Sequence, residues 1–246
     1  MKWWIDFFSM KWLTEVNRIT FFVLLATVLS CSTAKRHHVV ESGQAPVIRV
    51  VDTDFSKGRL GLEHEIGLGD LEKFHGHLCD GLVVGFFGIR EGLKELYPNG
   101  IIDRTNTRIV SKSSPCLTDV AVYVTGGRYQ FNSFYVNNDI EDAFYIIQRK
   151  DNGEAVAVNL RKGVKPKEIG VLGAKAVKGE LPACDLDRLK SLEDAFAQYL
   201  LSTDPKKNFK VRRLEHFDWD PVLKNDYLKT DILNKNKSKC NQSSKS

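Results

Sequence analysis

The chain has 246 residues, 42% of them hydrophobic and 27% charged, and a formal net charge of +5. The excess positive charge sits at the ends: the first thirty residues carry Lys2, Lys11 and Arg18 against two acids, and the last stretch carries Lys229, Lys235, Lys237, Lys239 and Lys245 against Asp231. The body between is close to neutral, so the basic balance is no argument for nucleic-acid binding, and it is long enough for one substantial core.

The three early basic residues precede an apolar stretch from Ile19 to Leu29 that ends at Ser30-Cys31. A charged leader, a short apolar run and a small residue before cysteine form the pattern of a bacterial lipoprotein signal over residues 1–30, with Cys31 as the lipidation site. The alternative is an uncleaved N-terminal anchor. Either places the body in the cell envelope, tethered to the membrane, on the periplasmic or outer-membrane side. Residues 31–65 read as a tether and an irregular lead-in, with a short edge strand at Val47–Val51.

The domain proper is expected over 66–228. Asp70 is placed as the N-cap of a short helix through Phe74. A stronger helix follows, with Leu82, Val83, Phe86, Phe87, Ile89, Leu93 and Leu96 on one apolar stripe, stopped by Pro98-Asn99-Gly100. Gly81, Gly85 and Gly88 recur in it although glycine costs a helix interior about 1 kcal/mol relative to alanine; the pattern predicts that another backbone or a bound group approaches this face closely. Arg108–Ser111 reads as a strand. Ser114-Pro115-Cys116 has the form of a helix start, while Val120–Thr125 is also β-prone.

Tyr129–Val136, Ala143–Arg149 and Ala155–Leu160 are rich in aromatic and β-branched residues, and Asn152-Gly153 joins the last two as a hairpin. Leu186–Leu201 has the spacing of an amphipathic helix, Lys210–Leu214 that of a final strand, and 229–246 the composition of a disordered basic tail. The expected fold is α+β: N-terminal helices packed on an antiparallel sheet, one core domain, and a C-terminal helix.

The chemistry concentrates in His75-Gly76-His77-Leu78-Cys79 and in Cys116 with Asp119. Imidazole and thiolate are the donors that zinc and other late divalent transition metals prefer. Both cysteines fall at helix N-termini, where exposed amides favour thiolate. The pattern points to His77, Cys79 and Cys116 as metal ligands. His75 stands as a fourth ligand or, with Asp119, as an acid–base pair in a catalytic role; Asp119 is also placed to orient a histidine. A Cys79–Cys116 disulfide competes with metal in an oxidising compartment. No nucleotide-binding loop, Ser-His-Asp pattern or paired acidic signature stands out.

The run from Asp70 to Leu82, with Gly85 and Arg90, resembles the FmdE-like family of formylmethanofuran dehydrogenase components, whose signature reads F-H-G-H-x-C-P-G before a glycine-bearing helix and G-x-R. Cys116-Leu117-Thr118-Asp119-Val120 and Thr125-Gly126 resemble its second block. The resemblance implies an α+β core, a homodimer, and a metal, commonly zinc, near His77, Cys79 and Cys116, with His75 and Asp119 lining the pocket. It also favours a helix at Cys116. Asp80 stands where the family has proline, Val120 where it has alanine, and no C-x-x-C zinc ribbon follows. The functions compatible with this pattern are a metal-dependent hydrolase or oxidoreductase-associated protein, a non-catalytic metal-handling or sensing module, a thiol redox protein using Cys79 and Cys116, and an envelope interaction protein.

Overall fold

A computed structural model of the protein describes residues 46–53 and 59–221. The chain enters through β1 (Val47–Thr53) and β2 (Leu60–Gly67), passes through α1 (Leu68–His75) and α2 (Asp80–Leu96), and continues as β3 (Ile101–Asp103), β4 (Thr107–Ser111) and α3 (Pro115–Thr125). A single 3-10 turn, Tyr129–Phe131, leads to β5 (Phe134–Val136), β6 (Tyr145–Arg149) and β7 (Ala155–Leu160). Helices α4 (Lys167–Ala176), α5 (Ala183–Ser202) and α6 (Pro205–Asn208) precede the last strand, β8 (Phe209–Leu214).

The strands form two sheets, a small one in the order β2-β1-β3 and a larger one in the order β5-β4-β6-β7-β8. The α+β class agrees with the sequence expectation, but neither sheet is wholly antiparallel. β1 runs parallel to β3, and β4 parallel to β5, because helices rather than tight turns connect the paired strands.

The large sheet is apolar on both faces, and the period of two decides which residue goes where. Ile109, Ile147, Val156 and Val158 enter the main core against α2, while Val110, Ile146, Ala155 and Ala157 face the opposite side. There Tyr135, Phe217 and Trp219 cover them; the Trp219 ring stands edge-on to Tyr135 at 4.7 Å and its Nε1 donates to Asn132 Oδ1 at 2.7 Å. Alanines on this face of β7 leave room for the bulky rings, and valines on the other fill the space below α2.

Helix α2 is the hub. Leu82, Phe86, Ile89 and Leu93 have no exposed surface. Its glycines admit neighbours that a methyl group would exclude. A Cβ at Gly85 would lie 2.9 Å from Tyr145 Oη, at Gly88 2.6 Å from Phe144 Cζ, and at Gly92 2.7 Å from Val158 Cγ2. The close approach expected from Gly81, Gly85 and Gly88 is made not by a backbone or a bound group but by side chains, those of α3, Phe144 and Tyr145.

Several local expectations shift. The strand expected at Val47–Val51 forms within β1, but it is the central strand of the small sheet rather than an edge. β2 begins in the stretch read as irregular, and with β1 it delivers Ile48, Val50 and Ile66 to the main core. Asp70 is not the N-cap of α1: Gly67 is, and Asp70 sits in the first turn, where its Oδ2 accepts the Gly67 N–H at 2.9 Å. The segment Tyr129–Val136 is a strand only from Phe134, since Asn132 is left-handed (φ 52°) and breaks it. The hairpin at Asn152-Gly153 forms as expected, Gly153 supplying φ 77°. Helix α4 has no clear signature in the sequence: its apolar contribution is short, with Ile169 and Leu172 as the buried residues. Among the described residues no helix is long and apolar enough to cross a membrane. Cys31, the export pattern of 1–30 and the tail of 229–246 lie outside the described residues.

Candidate metal centre

Three helix ends meet at one point. α1 terminates at His75 because Gly76 turns left-handed (φ 101°), its N–H donating to Glu72 O. Three residues later Cys79 becomes the N-cap of α2, its Sγ accepting the Leu82 N–H at 3.3 Å. Ser114 caps α3 through its Oγ and Pro115 opens the helix, so Cys116 falls in the first turn. Gly81 makes the meeting sterically feasible: a Cβ there would lie 2.8 Å from Cys116 Sγ and 2.9 Å from Cys116 Cβ.

The result brings His75, Cys79 and Cys116 together, with one donor atom of each within 4.8 Å of the others. The two sulfurs are 3.3 Å apart and both thiols are free. Cys79 Sγ lies 3.9 Å from His75 Nε2. The other ring nitrogen, Nδ1, is 2.7 Å from Asp119 Oδ2, and the His75 side chain is only 5% exposed. A carboxylate that accepts from Nδ1–H fixes the tautomer that leaves the Nε2 lone pair directed at the sulfurs. Asp119 is thereby an orienting group, one helical step beyond Cys116.

The sequence pattern put His77 among the ligands and left His75 as a fourth ligand or an acid–base group; the structure places His75 at the sulfurs instead. His77 is exposed, its ring 4.8 Å from that of His75, and it is outside the three-residue group. The physical reason is the turn at Gly76. It sends residue 77 outward, while the last turn of α1, packed on α3 through Phe74 and Tyr123 (ring centroids 5.3 Å), holds His75 inward.

The two thiols are inequivalent. The hydrogen bond with Cys116 pulls the pKa of Cys79 down to about 7, helped by the Leu82 amide and His75 and opposed by burial. The close Cys79 sulfur, with burial, pushes the Cys116 thiol far above its usual range; either sulfur can donate in the contact between them. Tyr145, fully buried, donates to Leu117 O at 2.6 Å and buttresses the first turn of α3; burial raises its pKa well above the usual value.

A charged cluster without a sequence signature lies behind the cysteines. Asp80, 5% exposed, sits 3.0 Å from Lys165 Nζ, an ionic contact without the directed geometry of a hydrogen bond. Half-buried Glu193 of α5 has its pKa raised to about 7 by burial and then by Asp80. The sequence marks Asp80 only as a replacement for proline, and its partners come from loops and helices 85 to 113 residues away, so no local signal could have revealed them.

The donor set fits a late transition metal. A tetrahedron built on ordinary zinc–sulfur and zinc–nitrogen bonds has edges of about 3.5–3.8 Å, near the 3.3 and 3.9 Å that Cys79 Sγ makes with Cys116 Sγ and His75 Nε2. Among the described residues no fourth histidine, cysteine or carboxylate completes the group. Three protein donors with one position left over are the arrangement of catalytic or exchangeable sites rather than closed structural ones.

No curated protein is similar enough to the chain to count as a relative. The family described as FmdE, Molybdenum formylmethanofuran dehydrogenase operon, matches residues 74–210, a span that opens one residue before His75 and contains Cys79, Cys116 and Asp119. With more than half of its length matched, the chain belongs to the FmdE family.

Proposed function

We propose that the protein is a zinc-binding member of this family, held at the cell envelope by a lipid on Cys31 and associating as a homodimer. The observation that carries the metal reading is the convergence of His75 Nε2 and the two sulfurs, with Asp119 locking the imidazole. His75, Cys79 and Cys116 would hold the ion. When bound, zinc supplies Lewis acidity at its remaining position. The chain's own residues supply the rest: Asp119 fixes the histidine tautomer, Gly81 admits Cys116, and Tyr145 secures the α3 turn. A hydrolase or an oxidoreductase-associated role fits a site with an open position; a metal-handling module uses the same ligands without turnover.

Elemental analysis of protein purified from its native compartment tests this reading. One zinc per chain is expected, lost in Cys79→Ser and Cys116→Ser. Metal-free protein with both thiols intact would overturn it.

A second reading has its own support. Two free sulfurs at 3.3 Å, one with pKa near 7, fit reversible dithiol–disulfide exchange. Cys79 thiolate would attack a disulfide substrate, Cys116 would then displace the mixed disulfide, and the substrate would leave as two thiols. Non-reducing mass spectrometry separates the readings: a Cys79–Cys116 bridge in native protein favours redox chemistry.

A further inference from the structure

At the other end of α3, away from Cys116, a cleft of about 450 Å³ opens between the end of β1, the β3–β4 turn and the chain that follows Gly126. Its volume is that of a site for a small organic ligand. Three cations, Arg104, Arg128 and Lys150, line it against one carboxylate, Asp52.

Arg104 is fixed. Its Nη1 donates to Asp52 Oδ2 at 3.1 Å and its Nη2 to Tyr123 O at 3.0 Å, while its buried Nε has no partner. The bond to Tyr123 O matters electrostatically. A helix C-terminus carries partial negative charge, which would repel an anion, and Arg104 covers it. Gly126, left-handed at φ 66°, lets the guanidinium lie across the helix end, since a Cβ there would come within 3.1 Å of Nε and Nη2. Burial lowers the Arg104 pKa; Asp52 opposes this, and the nearby positive charge of Arg128 adds to it.

Arg128 and Lys150, both exposed, have no ion-pair partner among the described residues, whereas Arg104 has one in Asp52. Arg128 instead lies 5.7 Å over the ring of Phe131, which is 61% exposed and also lines the cleft. Of the three cations only Arg104 has a carboxylate partner, Asp52, so the lining carries a net positive charge that a bound anion would offset. Guanidinium forks match carboxylate and phosphate oxygens.

We propose that the cleft walled by Arg104, Arg128 and Lys150 binds a small organic oxyanion, a phosphate ester or a polycarboxylate, with Phe131 beside its carbon skeleton. An α3 of eleven residues separates this site from the cysteines by about 15 Å at 1.5 Å per residue. It is a second site, and its existence does not depend on the metal reading.

The test is calorimetric titration of the full chain, metal content as purified, with inorganic phosphate, pyrophosphate and citrate at low ionic strength. Saturable binding of at least one is expected, and the preference between phosphates and citrate identifies the ligand class. Arg128→Ala and Lys150→Ala should each weaken binding about tenfold, the order expected for one charge-assisted contact. Asp52→Asn, which removes the resident carboxylate, should tighten it. Neither Arg128 nor Lys150 donates a side-chain hydrogen bond within the described residues, so both variants should fold, with unchanged circular dichroism. Anion-dependent shifts of the Gly126 and Lys150 amide resonances in the wild-type protein provide a readout independent of substitution. Absence of saturable binding to all three probes up to about 10 mM, or affinity unchanged in the Arg128→Ala/Lys150→Ala double variant, would overturn the proposal.

Discussion

His75 and His77 differ by two positions in sequence and completely in surroundings. His75→Ala should abolish stoichiometric metal, whereas His77→Ala should retain it, as measured by elemental analysis after dialysis. Retention of metal by the first and loss by the second would mean the imidazole at the sulfurs is the wrong one. Asp119→Asn keeps the shape and loses the charge; a weakening of metal affinity of about 10–100-fold is expected from competition titrations with a chromogenic chelator. Gly81→Ala places a methyl group within 2.8 Å of Cys116 Sγ. Overpacking of this kind costs about 1–3 kcal/mol, and the displaced sulfur should cost the metal as well. Gly153→Ala is the control. It meets nothing within 4 Å but sits at φ 77°, so urea unfolding should show a loss of about 1 kcal/mol with metal binding intact. Gly81 could be marked as suspicious from sequence, because glycine in a helix interior asks for an explanation. What approached it could not be named, since Cys116 lies 35 positions away.

At the scale of elements, the site depends on three helix termini staying in register. Ser114→Ala removes the N-cap of α3 and should lower stability by about 1 kcal/mol, with a disproportionate loss of metal because Cys116 occupies the capped turn. Helix α5 contributes a pH dependence through Glu193. Its carboxyl has a pKa raised from 4.5 to about 7, chiefly by burial and then by Asp80, so the folded state binds a proton more tightly than the unfolded chain. The stability this gives is complete below pH 4.5 and is lost as pH rises through about 7. Urea unfolding of Glu193→Gln should therefore lose less stability than wild type between these two pH values; parallel curves would contradict the assignment. The helices α2 and α5 were legible because their apolar stripes are local properties, whereas α3 was ambiguous between helix and strand by propensity and was favoured as a helix only by the family resemblance. β2 was not, since most of it is exposed, and β1 was legible only as a short strand because its buried residues alternate over its first part alone.

On the scale of the whole molecule, two sheets and the helices between them bring residues from separate stretches of chain to the cysteines. A metal that binds only the folded arrangement stabilises it by mass action. Chelation of the purified protein should thus lower Tm, and readdition of zinc should restore it; an unchanged Tm would show that the three donors are not bridged. Converting Cys31 to Ala should move the protein from the membrane to the soluble fraction if the N-terminal pattern is a lipoprotein signal, and light scattering of that soluble form tests the proposed dimer. What the sequence determined alone was the α+β class, the family, the main helices, the Asn152-Gly153 hairpin and the two cysteines with Asp119, all of them carried by periodicity, capping or contiguous motifs. Which histidine faces the sulfurs, what the α2 glycines admit, the Asp80–Lys165–Glu193 cluster and the cationic cleft were decided only by the tertiary structure. Each depends on the direction of a side chain after a turn, or on partners distant in sequence, and chain-local spacing does not encode either.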